Sequence, residues 1–157
     1  MENNCEVLYS FAVGNTVALC DVKDEVFASY TLGKGIAIKP NTNILYAPCD
    51  GVVETIADTG HALTLKSSGG AQVLLHVGID TVNLRGMFFD AKVKPGKSVK
   101  KGDKLIEFQR EKIEFEGYDT TICLAICNTE EYIKFDITDK KEVNTEDIVL
   151  AICKYGV

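Results

Sequence analysis

The sequence predicts an all-β protein, an antiparallel sandwich or barrel with little helix. Three observations predict it. The apolar runs are short, about 4–8 residues each, and Gly, Asn, Asp and Pro punctuate them. Many runs alternate apolar and polar residues, which puts one face of a strand in a core and the other in water. Only "REKIEFEG" and "TVNLRGMF" have room for a helical turn or two. Many short strands with almost no helical period leave sheet packed on sheet as the way to bury a core.

The elements follow in order. "VLYSFAVG" and "NTVALCDV" open the chain as strands, and "GIAIKP" and "NILYAP" follow, each closed by Pro. "GVVETIA", "HALTLKS" and "AQVLLHVG" alternate cleanly. "DAKVKPG" and "DKLIEFQ" flank a Lys- and Gly-rich turn region, and "TTICLAICN" is a continuous apolar run. "EYIKFDI" and "DIVLAIC" complete the set. "LYAPCDGVVETIADTGHALTL" and "DAKVKPGKSVKKGDKLIEFQ" share a strand, a Pro or Gly turn and a return strand, which suggests a duplicated hairpin unit. No linker or low-complexity segment interrupts the pattern, so residues 1–157 are expected to form a single domain.

Composition narrows the function. The net charge is −6, so polyanionic nucleic acid and anionic membrane surfaces are poor partners on average. The local cluster Lys92, Lys94, Lys97, Lys100, Lys101 and Lys104 reads as a solvated hairpin edge. No apolar run approaches the ~20 residues that span a bilayer. "MENNCEVLYS" lacks the basic and apolar regions of a secretory signal. With no export signal, the six cysteines Cys5, Cys20, Cys49, Cys123, Cys127 and Cys153 are expected to be reduced and mostly buried, in the cytoplasm. Cys123 and Cys127 should share one face of a strand, but nothing nearby completes a zinc site.

The only two histidines lie at the outer ends of two adjacent strands. If "HALTLK" and "AQVLLH" form a hairpin closed over Ser67–Gly70, His61 falls directly opposite His76. A two-residue turn at Ser68 and Gly69 gives the same register. Opposed residues share a face, with Cβ atoms ~4.5–5.5 Å apart. A slip of one residue would separate them.

Three chemistries suit such a pair. It could hold a metal, with a carboxylate such as Asp80 as third ligand. It could run acid–base catalysis. Or one histidine could carry a phosphoryl group while the other hydrogen-bonds its oxygens. The surroundings favour the third. No Ser or Cys adjoins either histidine in sequence as a separate nucleophile, and Leu63, Leu74 and Val77 suggest an apolar protein-docking rim. Thr59 is placed to fix the His61 tautomer, and Gly78 to leave room for a tetrahedral group beside His76.

"HVGIDTVNLRGMFF" resembles the signature of the glucose-type IIA domain of the bacterial phosphoenolpyruvate-dependent sugar phosphotransferase system. "VFASYTLGKGIAIKP", "LYAPCDGVVETI", "DTGHALTL", "VKPGKSVKKGDKLIEF" and "EGYDTTI" continue the resemblance in the family's order. It implies an antiparallel β-sandwich with barrel-like closure. It implies that His76 is phosphorylated by the phosphohistidine of HPr and passes the group to a cysteine of the IIB domain of a sugar permease. His61 would donate a hydrogen bond to the phosphoryl oxygens and Thr59 would orient it. Asp80 and Asp24 match acidic positions beside the site, and Val26, Phe27 and Leu32 would extend the docking surface with Leu74, Val77 and Gly78. The expected state is a cytoplasmic monomer that meets the membrane only through the permease. Cofactor and metal are not required, and His61 and His76 would be at most incidental metal ligands.

Some positions depart from the family pattern. Ala57 stands where a large aromatic is common, Leu74 and Val77 replace bulky aromatics, Gln109 replaces an Asp and Cys123 a Pro. None removes a group that the transfer requires. A regulatory binding protein with this fold is the runner-up. A lysostaphin-like zinc hydrolase would need more histidines, and a biotinyl or lipoyl carrier would need a modified Lys in a matching hairpin.

Overall fold

In the computed structural model, which describes residues 4–154, the strands gather into one large sheet and two small ones. The strands are β1 (Cys5–Tyr9), β2 (Gly14–Ala18), β3 (Lys34–Pro40), β4 (Ile44–Tyr46), β5 (Gly51–Ile56), β6 (Ala62–Ser67) and β7 (Gln72–Val77). They continue as β8 (Phe89–Ala91), β9 (Ser98–Val99), β10 (Lys104–Phe108), β11 (Ile122–Ile126), β12 (Tyr132–Ile137), β13 (Glu142–Val143) and β14 (Ile148–Lys154). The eight-stranded sheet runs β13-β2-β3-β11-β7-β6-β5-β9, and its ends do not meet, so the sheets form a sandwich without a closed barrel. The three-stranded sheets are β1-β14-β12 and β4-β10-β8. The two similar segments interlock: β10 pairs with β4 and β9 with β5, both antiparallel.

Alternation decides which way each side chain faces. Along β7, Val73, Leu75 and Val77 enter the main core, while Leu74 and His76 face the other side. Along β11, Ile122, Leu124 and Ile126 join the main core, and Cys123 turns to a smaller cluster of Leu19, Val22, Phe27, Ala37 and Ile79. Covering both faces of β11 explains why "ICLAI" is apolar throughout. Leu124 is fully buried, and truncating it to Ala would cost about 2–5 kcal/mol.

The second face is covered by residues 19–28. The expected strand "NTVALCDV" stops at Ala18, where a 3₁₀ turn over Leu19–Asp21 begins, and helix α1 (Glu25–Ala28) follows. Asp24 caps α1: its carboxylate accepts from the Val26 amide at 3.0 Å. "REKIEFEG" supplies helix α2 (Arg110–Phe115), and "TVNLRGMF" a 3₁₀ turn over Thr81–Leu84.

Two expectations are corrected. Cys5 and Cys153 face each other across β1 and β14 and form a disulfide, so these two are not reduced. Cys49 and Cys123 are buried free thiols, while Cys20 and Cys127 are exposed. Cys127 lies one residue beyond the end of β11, where its amide donates to the Gln72 carbonyl at 2.8 Å. Along the basic hairpin edge, Lys92 pairs with Asp90 and Glu107 and Lys101 with Glu146, while Lys94, Lys97, Lys100 and Lys104 are exposed. Among the described residues, no helix is long and apolar enough to cross a membrane.

Candidate functional site

The two histidines do meet, but not by the expected register. The β6–β7 turn holds three residues: the Ser67 amide donates to the Ala71 carbonyl at 2.9 Å and the Gly70 amide to Ser67 at 3.0 Å. Gly70, at φ +98°, takes the left-handed position that closes such a loop. The ladder therefore shifts by one, and Ala62 rather than His61 stands opposite His76. Regular alternation would then part the rings. They stay together because β6 begins only at Ala62; His61 sits in a bend after Gly60, whose φ is +75°. The ring centroids lie 4.8 Å apart at 81°.

Each ring is fixed by one partner. The His61 Nδ1 lies 2.5 Å from the Thr59 hydroxyl. His76 Nδ1 lies 2.8 Å from the Gly78 carbonyl oxygen. A carbonyl can only accept, so this nitrogen of His76 carries the hydrogen and a neutral ring leaves the Nε2 lone pair free. The ring of Phe27 meets His76 edge-on at 5.2 Å, and Phe89 flanks His61 at 6.3 Å.

Electrostatics keep the pair uncharged. Burial pushes the His61 imidazole down to about 4, with His76 adding to the shift. Burial also holds His76 below its ordinary value, against the opposing pull of the Gly78 carbonyl and of the Asp24 and Asp80 carboxylates. At neutral pH both rings are neutral, the form an attacking imidazole needs.

The docking residues separate into two groups. Val26 is 45% exposed and Leu32 36%, and Leu74 is half-buried on the histidine face. Val77 is corrected: it points into the main core with no exposure, because it alternates with His76 along β7. Phe27 is also corrected, being 3% exposed beneath the surface and supporting His76 from below. Gly78 is tightly packed on the side where a side chain would stand. At φ +85°, a Cβ there would sit 2.3 Å from Thr81 Cγ2 and 3.0 Å from the Asp119 carbonyl oxygen. Asp80 is exposed and takes a left-handed φ of 60° just before the 3₁₀ turn.

Sequence reasoning missed Phe27 as a support beneath His76. Among the described residues, no group of three or more His, Cys, Asp and Glu side chains is arranged to hold a metal ion, so Asp80 does not complete a metal site with the histidines.

Comparison with known proteins identifies the family to which this fold belongs. A family model described as phosphoenolpyruvate-dependent sugar phosphotransferase system, EIIA 1, matches residues 6–132. The chain belongs to that family. It is 35% identical over 147 residues to the PTS system glucose-specific EIIA component of Haemophilus influenzae, covering 94% of this chain and 89% of that one. It is 49% identical over 127 residues to the beta-glucoside-specific EIIBCA component of Dickeya chrysanthemi, covering 81% of this chain but 20% of that protein. The chain thus spans a fifth to a quarter of the length of several curated relatives. The solved structure of glucose permease IIA from Mycoplasma capricolum superposes with a TM-score of 0.87 at 30% identity, over 95% of this chain and 96% of that one.

Proposed function

We propose that the chain is a cytoplasmic phosphocarrier in which His76 holds the phosphoryl group between HPr and the IIB domain of a sugar permease. The observation that carries this reading is the His76 Nδ1 contact to the Gly78 carbonyl, which leaves Nε2 as the nucleophile. Nε2 attacks the phosphorus of phospho-HPr in line. A new N–P bond forms as the donor's N–P bond breaks, and the departing electron pair stays on the donor imidazole. The hydrogen stays on Nδ1 and is donated to the Gly78 carbonyl, which stabilises the positive charge that the ring gains. In the second step a IIB thiolate attacks the same phosphorus, and the His76 N–P bond breaks in turn.

His61 acts as the donor to the phosphoryl oxygens. With the Thr59 hydroxyl donating to Nδ1, the His61 hydrogen sits on Nε2, where it can be given to the phosphate. Asp24 and Asp80 offer negative charge to basic side chains on either partner, and Val26, Leu32, Val82 and Met87 offer exposed apolar contact.

The test mixes the protein with phosphoenolpyruvate, enzyme I and HPr, and then adds a IIB domain. Wild type should gain one acid-labile phosphate and His76→Gln none. His61→Gln should load yet relay poorly to IIB. A wild-type protein that stays unmodified with a competent donor contradicts the reading.

A further inference from the structure

The Gly78 carbonyl holds His76 only if its own corner is held, and the holding residues lie on another segment. The Gly78 amide donates to the Thr121 carbonyl at 2.9 Å, and the Ile79 amide to the Asp119 carbonyl at 2.9 Å. Both carbonyls belong to the segment that leads into β11. That segment is organised by a single carboxylate oxygen. Asp119 Oδ1 accepts from the Thr121 amide at 2.8 Å and from the Thr121 hydroxyl at 2.6 Å, closing a local turn. The same oxygen lies 3.4 Å from Lys39 Nζ on β3, and Lys39 also reaches the Thr120 hydroxyl at 3.1 Å and Glu114 at 3.4 Å.

Thr120 is fully buried and Thr121 nearly so, so this turn is packed rather than loose. Desolvation pushes the Asp119 carboxyl up, but the Thr121 hydroxyl and amide and the Lys39 ammonium outweigh it and hold the group below its ordinary value. Asp119 is therefore ionised and fully engaged at neutral pH.

We infer that Asp119 is a positioning residue for phosphoryl transfer: by closing the turn over Asp119–Thr121 it aims the two carbonyls that fix the Gly78–Ile79 corner, and so keeps the Gly78 carbonyl on His76 Nδ1. The inference rests on the proposed role of His76. Its consequence is chemical as well as mechanical. A loosened Gly78 carbonyl no longer selects the Nδ1–H form of His76, and the competing form places the hydrogen on the nucleophilic nitrogen. Lys39 and Thr121 act through Asp119, one by charge and one by hydrogen bonds.

The experiment compares wild type with Asp119→Ala, Asp119→Asn and Thr121→Val. Two readouts are taken on each: the single-turnover rate of loading from phospho-HPr, and the His76 tautomer from long-range ¹H–¹⁵N spectra of the unphosphorylated protein. Asp119→Ala should load about 10-fold more slowly and show a mixture of His76 tautomers. Asp119→Asn keeps an acceptor for both Thr121 donors, so it should restore the Nδ1–H form and most of the rate. Thr121→Val keeps the amide donor and should fall between; it also decides the matter if Asp119→Ala does not fold. Loaded wild type together with variants unchanged in tautomer and rate overturns this inference alone. Unmodified wild type overturns the phosphocarrier reading and this inference with it.

Discussion

Replacing Gly78 by Ala should test the tight corner behind His76 most severely. Two costs add. Gly78 has φ +85°, a conformation that costs an L-residue about 1–2 kcal/mol. The added methyl would sit 2.3 Å from Thr81 Cγ2 and 3.0 Å from the Asp119 carbonyl oxygen, where Gly78 and Thr81 are both buried. Overpacking of that kind costs about 1–3 kcal/mol. The expected loss is about 2–5 kcal/mol, or roughly 5–15 °C in Tm for a domain of this size. Urea unfolding followed by circular dichroism would measure it. Thr81→Ser removes Cγ2 but keeps the hydroxyl that donates to the Val77 carbonyl. In the Gly78→Ala background it should return about 1 kcal/mol, leaving the backbone cost in place. A Gly78→Ala protein within 1 kcal/mol of wild type, about the least the backbone cost alone predicts, would refute the reasoning.

Other perturbations have equally definite outcomes. His61 must be neutral in the folded protein, with its ionisation pushed down to about 4 from an unfolded value near 6.5, so the unfolded chain binds more protons between those pH values. Stability should be full above about pH 6.5 and fall by up to about 3 kcal/mol as pH drops toward 4, a slope that His61→Gln should flatten in urea midpoints. Reducing the Cys5–Cys153 disulfide, which closes a sequence separation of 148 residues, should cost about 2–5 kcal/mol, and equal midpoints with and without reductant would contradict that. Asp24→Ala should lose the α1 cap, worth about 0.5–2 kcal/mol, and lower the His76 pKa further by removing a carboxylate that raises it; NMR titration reads the second effect.

Strands were legible where period-two alternation was clear. "AQVLLHVG" and "HALTLKS" correspond to β7 and β6 to within a residue. The hairpin register was not, because Ser67, Ser68, Gly69 and Gly70 suit loops of two, three or four residues equally well in sequence. The histidines meet despite the shifted register because a bend after Gly60, where the Gly60 amide donates to the Ala57 carbonyl, breaks the alternation, and a period-two pattern does not record where it breaks. Helix α1 is too short for a helical period, though Asp24 before Glu25 carries a capping signal. The resemblance implies a surface place for Phe27, and closeness to His76 in sequence suggests one for Val77, whereas strand alternation alone puts Val77 opposite to His76. The Cys5–Cys153 pair joins the first and last strands, a contact that no local pattern records. Asp119 lies within "EGYDTTI", where Asp followed two residues on by Thr is a turn signal, but its link to Gly78 exists only in three dimensions.

The most direct measurement is the site of the phosphoryl bond itself. The protein, labelled with ¹⁵N at histidine, would be loaded from phospho-HPr and examined by NMR for one-bond nitrogen–phosphorus coupling. Coupling to Nε2 of His76, with the hydrogen kept on Nδ1, is the predicted result. Coupling to Nδ1 of His76, or to either nitrogen of His61, would contradict the assignment of nucleophile and donor on which the account depends.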